Sequence, residues 1–318
     1  MKSNAPIDIL RLIISFMVVA IHCGVADVSE NVYNMFQSAV PLFFVISGYF
    51  IENKCIKGGY VRDYISKSCR LYLYWCFIYF PLTIYGCIVN ERIWWQDIIF
   101  TVRGYLVTGE NFCSYPLWYL LATIYAVWMY RYTISHKWSD KKLFVFTFIL
   151  TFIGFALEYF SSIKAVNNFL FIFGGTRTGI FQGFSYLIIG VFIARYNISD
   201  YCRRHKTILW FIWMVLLPIS SYFPVPKSLF VDHFLNGLLI SLLLASNFKH
   251  NFDTKPIRSI GVWIYFTHMY IVFIINQMFG LTDFTESIIY ALPLSLCIAI
   301  VLYFIGRKFK YVRVLSGA

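Results

Sequence analysis

Apolar runs of about 20 residues, the length that crosses a hydrocarbon core of about 30 Å, recur ten times along the chain between short polar connections. Their cores are Ile7 to Val25, Tyr33 to Ile51, Leu71 to Val89, Leu117 to Tyr132, Leu143 to Phe160, Ile180 to Ile198, Ile208 to Phe223, Leu229 to Phe248, Ile260 to Phe279 and Ile288 to Phe309. The pattern predicts an all-α integral membrane protein, a bundle of about ten transmembrane helices. No internal repeat, low-complexity tract or linker divides it, so a single transmembrane domain over residues 1–318 is expected. One connection is long. From Asn90 to Pro116, "RIWWQDIIFTVRGYLVTG" mixes aromatic, apolar and charged residues in the manner of a helix lying along the membrane surface, as a packing element or as a lid.

The positions of the charges give this layout a direction. Lys and Arg are retained on the cytoplasmic side of a membrane. With the N-terminus inside, all of the 27 Lys and Arg fall on the cytoplasmic side except Arg92, Arg103, Lys164, Arg177 and Lys227. A miscounted span would scramble that separation, so ten spans with both termini cytoplasmic are expected. The same separation accounts for the net charge of +12 without nucleic acid as a partner.

Composition agrees with the pattern. Hydrophobic residues make up 59% of the chain and charged residues 13%, with a mean hydropathy of +0.67. A soluble domain carries about a quarter charged residues. Aromatic residues at 21% fit the bilayer interfaces where Tyr and Trp collect. The eight cysteines are scattered, with no CxxC and no Cys/His cluster at ligand spacing. Neither a metal site nor a disulfide framework is expected. A cleavable leader fits the first run poorly, because that run is long, contains ionisable residues and lacks a small-residue cleavage site.

The first span nevertheless holds Arg11 and His22. Eleven residues at 100° each return the second side chain to within about 20° of the first, and at 1.5 Å per residue they stand about 16 Å apart along the axis. Both face one way, Arg11 near the cytoplasmic boundary and His22 deeper. Taken singly, Arg11 reads as an interfacial anchor paired with Asp8 or as a functional group. His22 reads as a polar group bonded to a neighbouring helix or as a functional group. A shared stripe favours function, because a cation within a span costs a few kcal/mol and such residues line cavities or pathways.

Arg11, ten residues, then His22, led in by "IDILR", resembles the signature of the acyltransferase-3 family of integral membrane acyltransferases. "AVPLFFVISGYFI" (Ala39 to Ile51) resembles that family's second span, "LWYL" (Leu117 to Leu120) its fourth, "GGTRTGIFQGFSYLIIGVFIAR" (Gly174 to Arg195) its sixth and "SIGVWIYFTHMY" (Ser259 to Tyr270) its ninth. The second and sixth stretches are most similar to the membrane domain of serine racemases tied to vancomycin resistance. The resemblance covers nearly the whole chain. It implies a multi-pass protein of a bacterial cell (cytoplasmic) membrane that moves an acyl group, acetyl by the family's habit, from cytoplasmic acyl-CoA to a hydroxyl of a surface glycan or small molecule.

Within that implied reaction, Arg11 and His22 form the catalytic pair. Neutral imidazole suits a base near neutral pH, so His22 takes the hydroxyl proton, and the Arg11 guanidinium forks onto a CoA phosphate. Lys67 and Arg70 in "SKSCR" occupy the place of an Arg-x-x-Arg pair and are expected to help hold the donor, or else are ordinary inner-loop charge. Lysine at the first position offers a point charge where the family has a fork. His268, Arg177 and Trp118 are the expected substrate-binding residues. His268 reads alternatively as a satisfied core histidine, and Arg177 as an anchor of the sixth span. Glu158, Asp232 and His233 near outer span ends read as solvated interface residues. Many members carry a histidine directly before LWYL; this chain has Pro116. Acyl-CoA, an acceptor and membrane lipid are the expected partners, with no metal. The competing functional class is a transporter-like domain for serine or another amino acid, although no symmetric pair of broken spans marks one.

Overall fold

The computed structural model describes residues 4–55, 59–90, 93–176, 178–222, 229–246 and 253–317. Every regular element among them is a helix. Each of the ten apolar cores overlaps one: α1 (Ala5–His22), α2 (Ala39–Cys55), α3 (Tyr60–Val89), α4 (Leu117–Ser135), α5 (Asp140–Tyr159), α6 (Phe184–Arg195), α7 (Lys206–Tyr222), α8 (Leu229–Ala245), α9 (Lys255–Phe279) and α10 (Phe284–Lys308); Phe223, Asn247 and Phe248 of the seventh and eighth cores lie outside the described residues. Short helices lie between them, including Glu30–Phe36 and Trp94–Arg103, and a further one at Lys164–Phe173 that the apolar pattern does not announce.

By length and composition, six helical stretches among the described residues can each cross a membrane alone: α1, Glu30–Lys54, α3, α5, α9 and α10. The sixth predicted span is different. Residues Gly179–Arg195 and Ile198–Arg204 would pass together, but they are bent by 70° at the intervening break, where Asn197 takes a φ of 49°. The helices α7 and α8 are shorter apolar helices of 17 described residues each. The helix α4 is long enough, but Trp118, Tyr119, Thr123, Tyr125, Tyr130 and Tyr132 lower its mean hydropathy.

The chain forms two compact units. One comprises Met1–Phe43, Ser199–Tyr222 and Leu238–Ala318; the other comprises Phe44–Ile198 and Phe223–Gly237. In the first, α1 packs along α9, and α9 packs along α10. The offset between facing residues of α1 and α9 stays constant. The pairs Asp8/Thr254 and Ser15/Gly261 are bonded at a separation of 246 positions, and the His22 and His268 rings face each other at the same separation. A constant offset means that the two helices run parallel. The step of seven residues, about 10.5 Å, is the heptad spacing at which one helix keeps meeting the same neighbour.

The second unit has its core between α2, α4, α5 and α6, where Ile51, Val127, Tyr130, Leu143, Phe184, Leu187 and Val191 are buried together. Two glycines let α2 and α6 touch backbone to backbone. A Cβ at Gly48 would stand 1.9 Å from the Leu187 carbonyl oxygen, and one at Gly190 2.0 Å from that of Val45. Close approach at small residues is the usual way helices associate where lipid removes the hydrophobic drive. At one end of this unit Arg195 joins three helices. Its Nε donates to Glu52 at 2.8 Å and its Nη2 to the Tyr130 hydroxyl at 3.2 Å, while Nη1 is paired with Asp140. The hydroxyl of Tyr130 donates to Glu52, and that of Tyr196 to Asp140 at 2.5 Å.

Candidate functional site

The site begins at the first turn of α1. Asn4 caps the helix by accepting from the Ile7 N–H at 3.3 Å, and Pro6 suits a position where the backbone donor has no helical partner. Asp8, in that turn, is buried at 2% exposure. A carboxylate so placed needs partners, and it has two. Thr254 Oγ1 donates to Asp8 Oδ2 at 2.6 Å, and Arg11 Nη1 donates to Asp8 Oδ1 at 3.3 Å. Thr254 is the residue that precedes α9, and its hydroxyl is turned to Asp8 with none spent on capping its own helix. The Arg11 side chain remains partly exposed at 19%.

Two turns along, Ser15 Oγ lies 2.8 Å from the Arg11 carbonyl oxygen and 2.9 Å from that of Gly261. Gly261 permits this approach: a Cβ there would sit 3.3 Å from Leu12 Cα. Two further turns along stands the imidazole pair. The ring centres of His22 and His268 are 5.3 Å apart and tilted by 31°. His22 ends α1, where carbonyls without helical partners favour positive charge. His268 is fully buried, and its Nδ1 lies 3.2 Å from the Ile264 carbonyl oxygen. Among the described residues nothing bonds to its Nε2. An unsatisfied polar atom in a fully enclosed ring is uncommon and calls for an explanation. Tyr265 closes the next side, its ring centre 6.2 Å from that of His268.

Three of the residues singled out from sequence, Arg11, His22 and His268, thus share one compact unit and one helix seam. Lys67, Arg70 and Trp118 belong to the other unit. Lys67 and Arg70 are exposed and one turn apart on α3. Trp118 is half-buried in the first turn of α4, its ring 6.3 Å from that of Phe44. Arg177 lies outside the described residues. Glu158 accepts from the Thr176 hydroxyl, and His233 stacks on buried Tyr186 at 3.9 Å and 11°. That stacking corrects the solvated reading of His233. Nothing local to His233 marks Tyr186, 47 positions earlier, as its partner.

Sequence reasoning missed Thr254, Ser15 and Gly261. A signal was present, since Asp8, Ser15 and His22 recur every seven residues in a strongly apolar run. Their partners on α9 carry no mark that ties them to α1 across 246 positions. Chemically, the unit holds a guanidinium at one end of a helix and two facing imidazoles at the other. Such a set can hold an anion and move a proton.

A family model described as an acyltransferase domain matches residues 4–306. The chain is 28% identical to a serine/alanine racemase of Enterococcus gallinarum, over 98% of this chain and 47% of that protein. It is 24% identical to an amino-acid racemase of Enterococcus faecalis, over 87% of this chain and 42% of that protein. The chain thus spans about half the length of the curated relatives it matches. No solved structure matches it.

Proposed function

We propose a function from one premise: the chain belongs to the acyltransferase family whose domain model matches residues 4–306. The protein is a membrane O-acyltransferase. It takes an acyl group, acetyl in the simplest case, from cytoplasmic acyl-CoA and places it on a hydroxyl of a surface glycan or small molecule. The observation that carries this reading is the α1 stripe, with Asp8-bound Arg11 at one end and His22 against His268 at the other.

The chemistry follows from these groups. A hydroxyl is a weak nucleophile until a base removes its proton, and an imidazole matches that task near neutral pH. The hydroxyl proton passes to His22, the oxygen bonds to the thioester carbonyl carbon, the carbon–sulfur bond breaks, and the departing thiolate of CoA takes the proton back. Arg11 holds a donor phosphate as a bidentate partner. The interval of about 16 Å between the two residues suits a donor whose charged end stays at the membrane boundary while its thioester reaches inward. The setting is a bacterial cell membrane, crossed ten times with both termini cytoplasmic. The parallel course of α1 and α9 supports this, because two odd-numbered crossings run in one direction.

The racemase names of the relatives favour a second reading, in which the chain is a non-enzymatic domain that carries an amino acid such as serine across the membrane. Calorimetric titration of acetyl-CoA into detergent-purified protein separates the two. The acyltransferase reading expects binding by the wild type, weak or absent binding by Arg11→Ala, and binding without turnover by His22→Ala. Absence of binding by folded wild type, with serine uptake into vesicles, would establish the second reading instead.

A further inference from the structure

We propose that His268 is the positioning residue of His22: its Nε2 accepts a hydrogen bond from one ring nitrogen of His22 and leaves the other nitrogen of His22 as the base. The inference rests on the acyltransferase reading for the reaction it serves, and on the geometry of the two rings for everything else.

The tautomer of His268 comes first. Its Nδ1 lies 3.2 Å from the Ile264 carbonyl oxygen, and a carbonyl only accepts, so Nδ1 carries the hydrogen. In the neutral ring Nε2 is then a lone pair. It sits in a residue with 0% exposure, and no donor among the described residues reaches it. A buried acceptor of this kind is completed by a donor that arrives or turns toward it.

The arrangement of the rings identifies that donor. A ring nitrogen stands roughly 1.1 Å from its ring centre, so an N–H···N contact of about 3 Å places two imidazole centres about 5.2 Å apart. The observed separation is 5.3 Å with a tilt of 31°. That separation is the one an edge-to-edge N–H···N pair requires. A small turn of the His22 ring, which ends its helix, closes the bond; catalytic hydrogen bonds often tighten only when substrate is present.

The consequence for the reaction is a fixed tautomer. Once one nitrogen of His22 donates to His268, the other has a lone pair and a direction. It receives the proton of the acceptor hydroxyl as the new carbon–oxygen bond forms and the carbon–sulfur bond breaks, and it returns that proton to the CoA thiolate. His268 neither gains nor loses a proton and touches no substrate. Its role is that of the third group which orients a base.

The test compares His268→Leu and His268→Gln with the wild type, following CoA thiol release from acetyl-CoA with N-acetylglucosamine as the acceptor probe. The glutamine amide oxygen reaches about as far as Nε2 and can accept; leucine cannot. We expect kcat to fall about 100-fold in His268→Leu while KM for acetyl-CoA stays within twofold, and His268→Gln to recover to within about tenfold of wild type. A folded His268→Leu within threefold of wild type, or a folded His268→Gln as inactive as His268→Leu, overturns the proposal. Nitrogen-15 NMR of histidine-labelled wild type tests it without any variant of altered stability. A protonated Nδ1 and bare Nε2 on His268, hydrogen-bonded to His22, support it, and a protonated Nε2 overturns it. Wild type that binds and turns over no acetyl-CoA removes the acyltransferase reading, and the NMR result then judges the ring pairing on its own.

Discussion

Gly261 is a point of close approach on the seam that brings the imidazoles together, and widening it should separate them. The replacement Gly261→Ala puts a carbon 3.3 Å from Leu12 Cα and 3.4 Å from the Arg11 carbonyl oxygen. Carbon atoms rest at about 3.5–4.0 Å, so α1 and α9 need to yield only a few tenths of an ångström. The helix gains about 1 kcal/mol in propensity when alanine replaces glycine, which offsets that crowding. Stability within about 1 kcal/mol of wild type and near-normal turnover are expected. Gly261→Leu is another matter. Three further carbons have nowhere to go, and the helices must part by roughly 2 Å, within the range over which side chains set interaxial distance. Overpacking of this kind costs about 1–3 kcal/mol, and loss of the Ser15 bond to Gly261 adds about 0.6 kcal/mol, the average for hydrogen bonds within membranes. One heptad away, rings now 5.3 Å apart would stand near 7 Å, beyond any direct bond. A misplacement of about 1 Å can cost 100-fold in rate, so turnover of acetyl-CoA should drop at least that far while donor binding at Arg11 persists. Thermal unfolding in detergent, calorimetry and CoA release measure the three quantities. Folded Gly261→Leu with wild-type turnover would show that the α1/α9 spacing does not set the site.

The contact of α2 with α6 offers a harsher case: Gly190→Ala brings a carbon to 2.0 Å from the Val45 carbonyl oxygen and 2.7 Å from the Tyr49 nitrogen, and a loss of about 2–3 kcal/mol is expected in reversible unfolding, with an unchanged midpoint refuting the close contact. Arg195→Ala should cost about 1–3 kcal/mol, the range for polar groups left without their partner, because Glu52 and Asp140 both lose their cation; the double variant Arg195→Met, Glu52→Leu should recover part of it. Burial pushes the Cys113 thiol up to about 11. With Cys113 as the only cysteine, iodoacetamide labelling should rise about tenfold per pH unit from 8 to 10, since thiolate is the reactive form, and a plateau near pH 9 would contradict that burial.

Much of this was legible in one dimension, for identifiable reasons. Apolar runs had to become helices because lipid leaves backbone donors and acceptors no partner but their own segment. The common stripe of Arg11 and His22 followed from helical pitch. The ring pair did not, because nothing local in "GVWIYFTHMY" states that His268 faces α1. The polar clamp formed by Asp8 and Thr254 stayed hidden for the same reason, and so did the clasp that Arg195 makes with Glu52, Tyr130 and Asp140. The bend at Asn197 was missed because hydropathy averages over a break of two residues.

The constant offset of 246 positions between α1 and α9 also sets a clock for assembly. A ribosome adds about 5–20 residues per second, so the first helix enters the bilayer roughly 12–50 s before its partner has been synthesised. Throughout that interval the carboxylate of Asp8 and the imidazole of His22 lack the groups at α9 that face them in the folded protein, and polar groups within a span are costly without such partners. The nascent chain must therefore shelter α1 against other helices, the insertion machinery or water. The imidazole pair can form only once α9 has been made, so a polypeptide arrested before α9 lacks it.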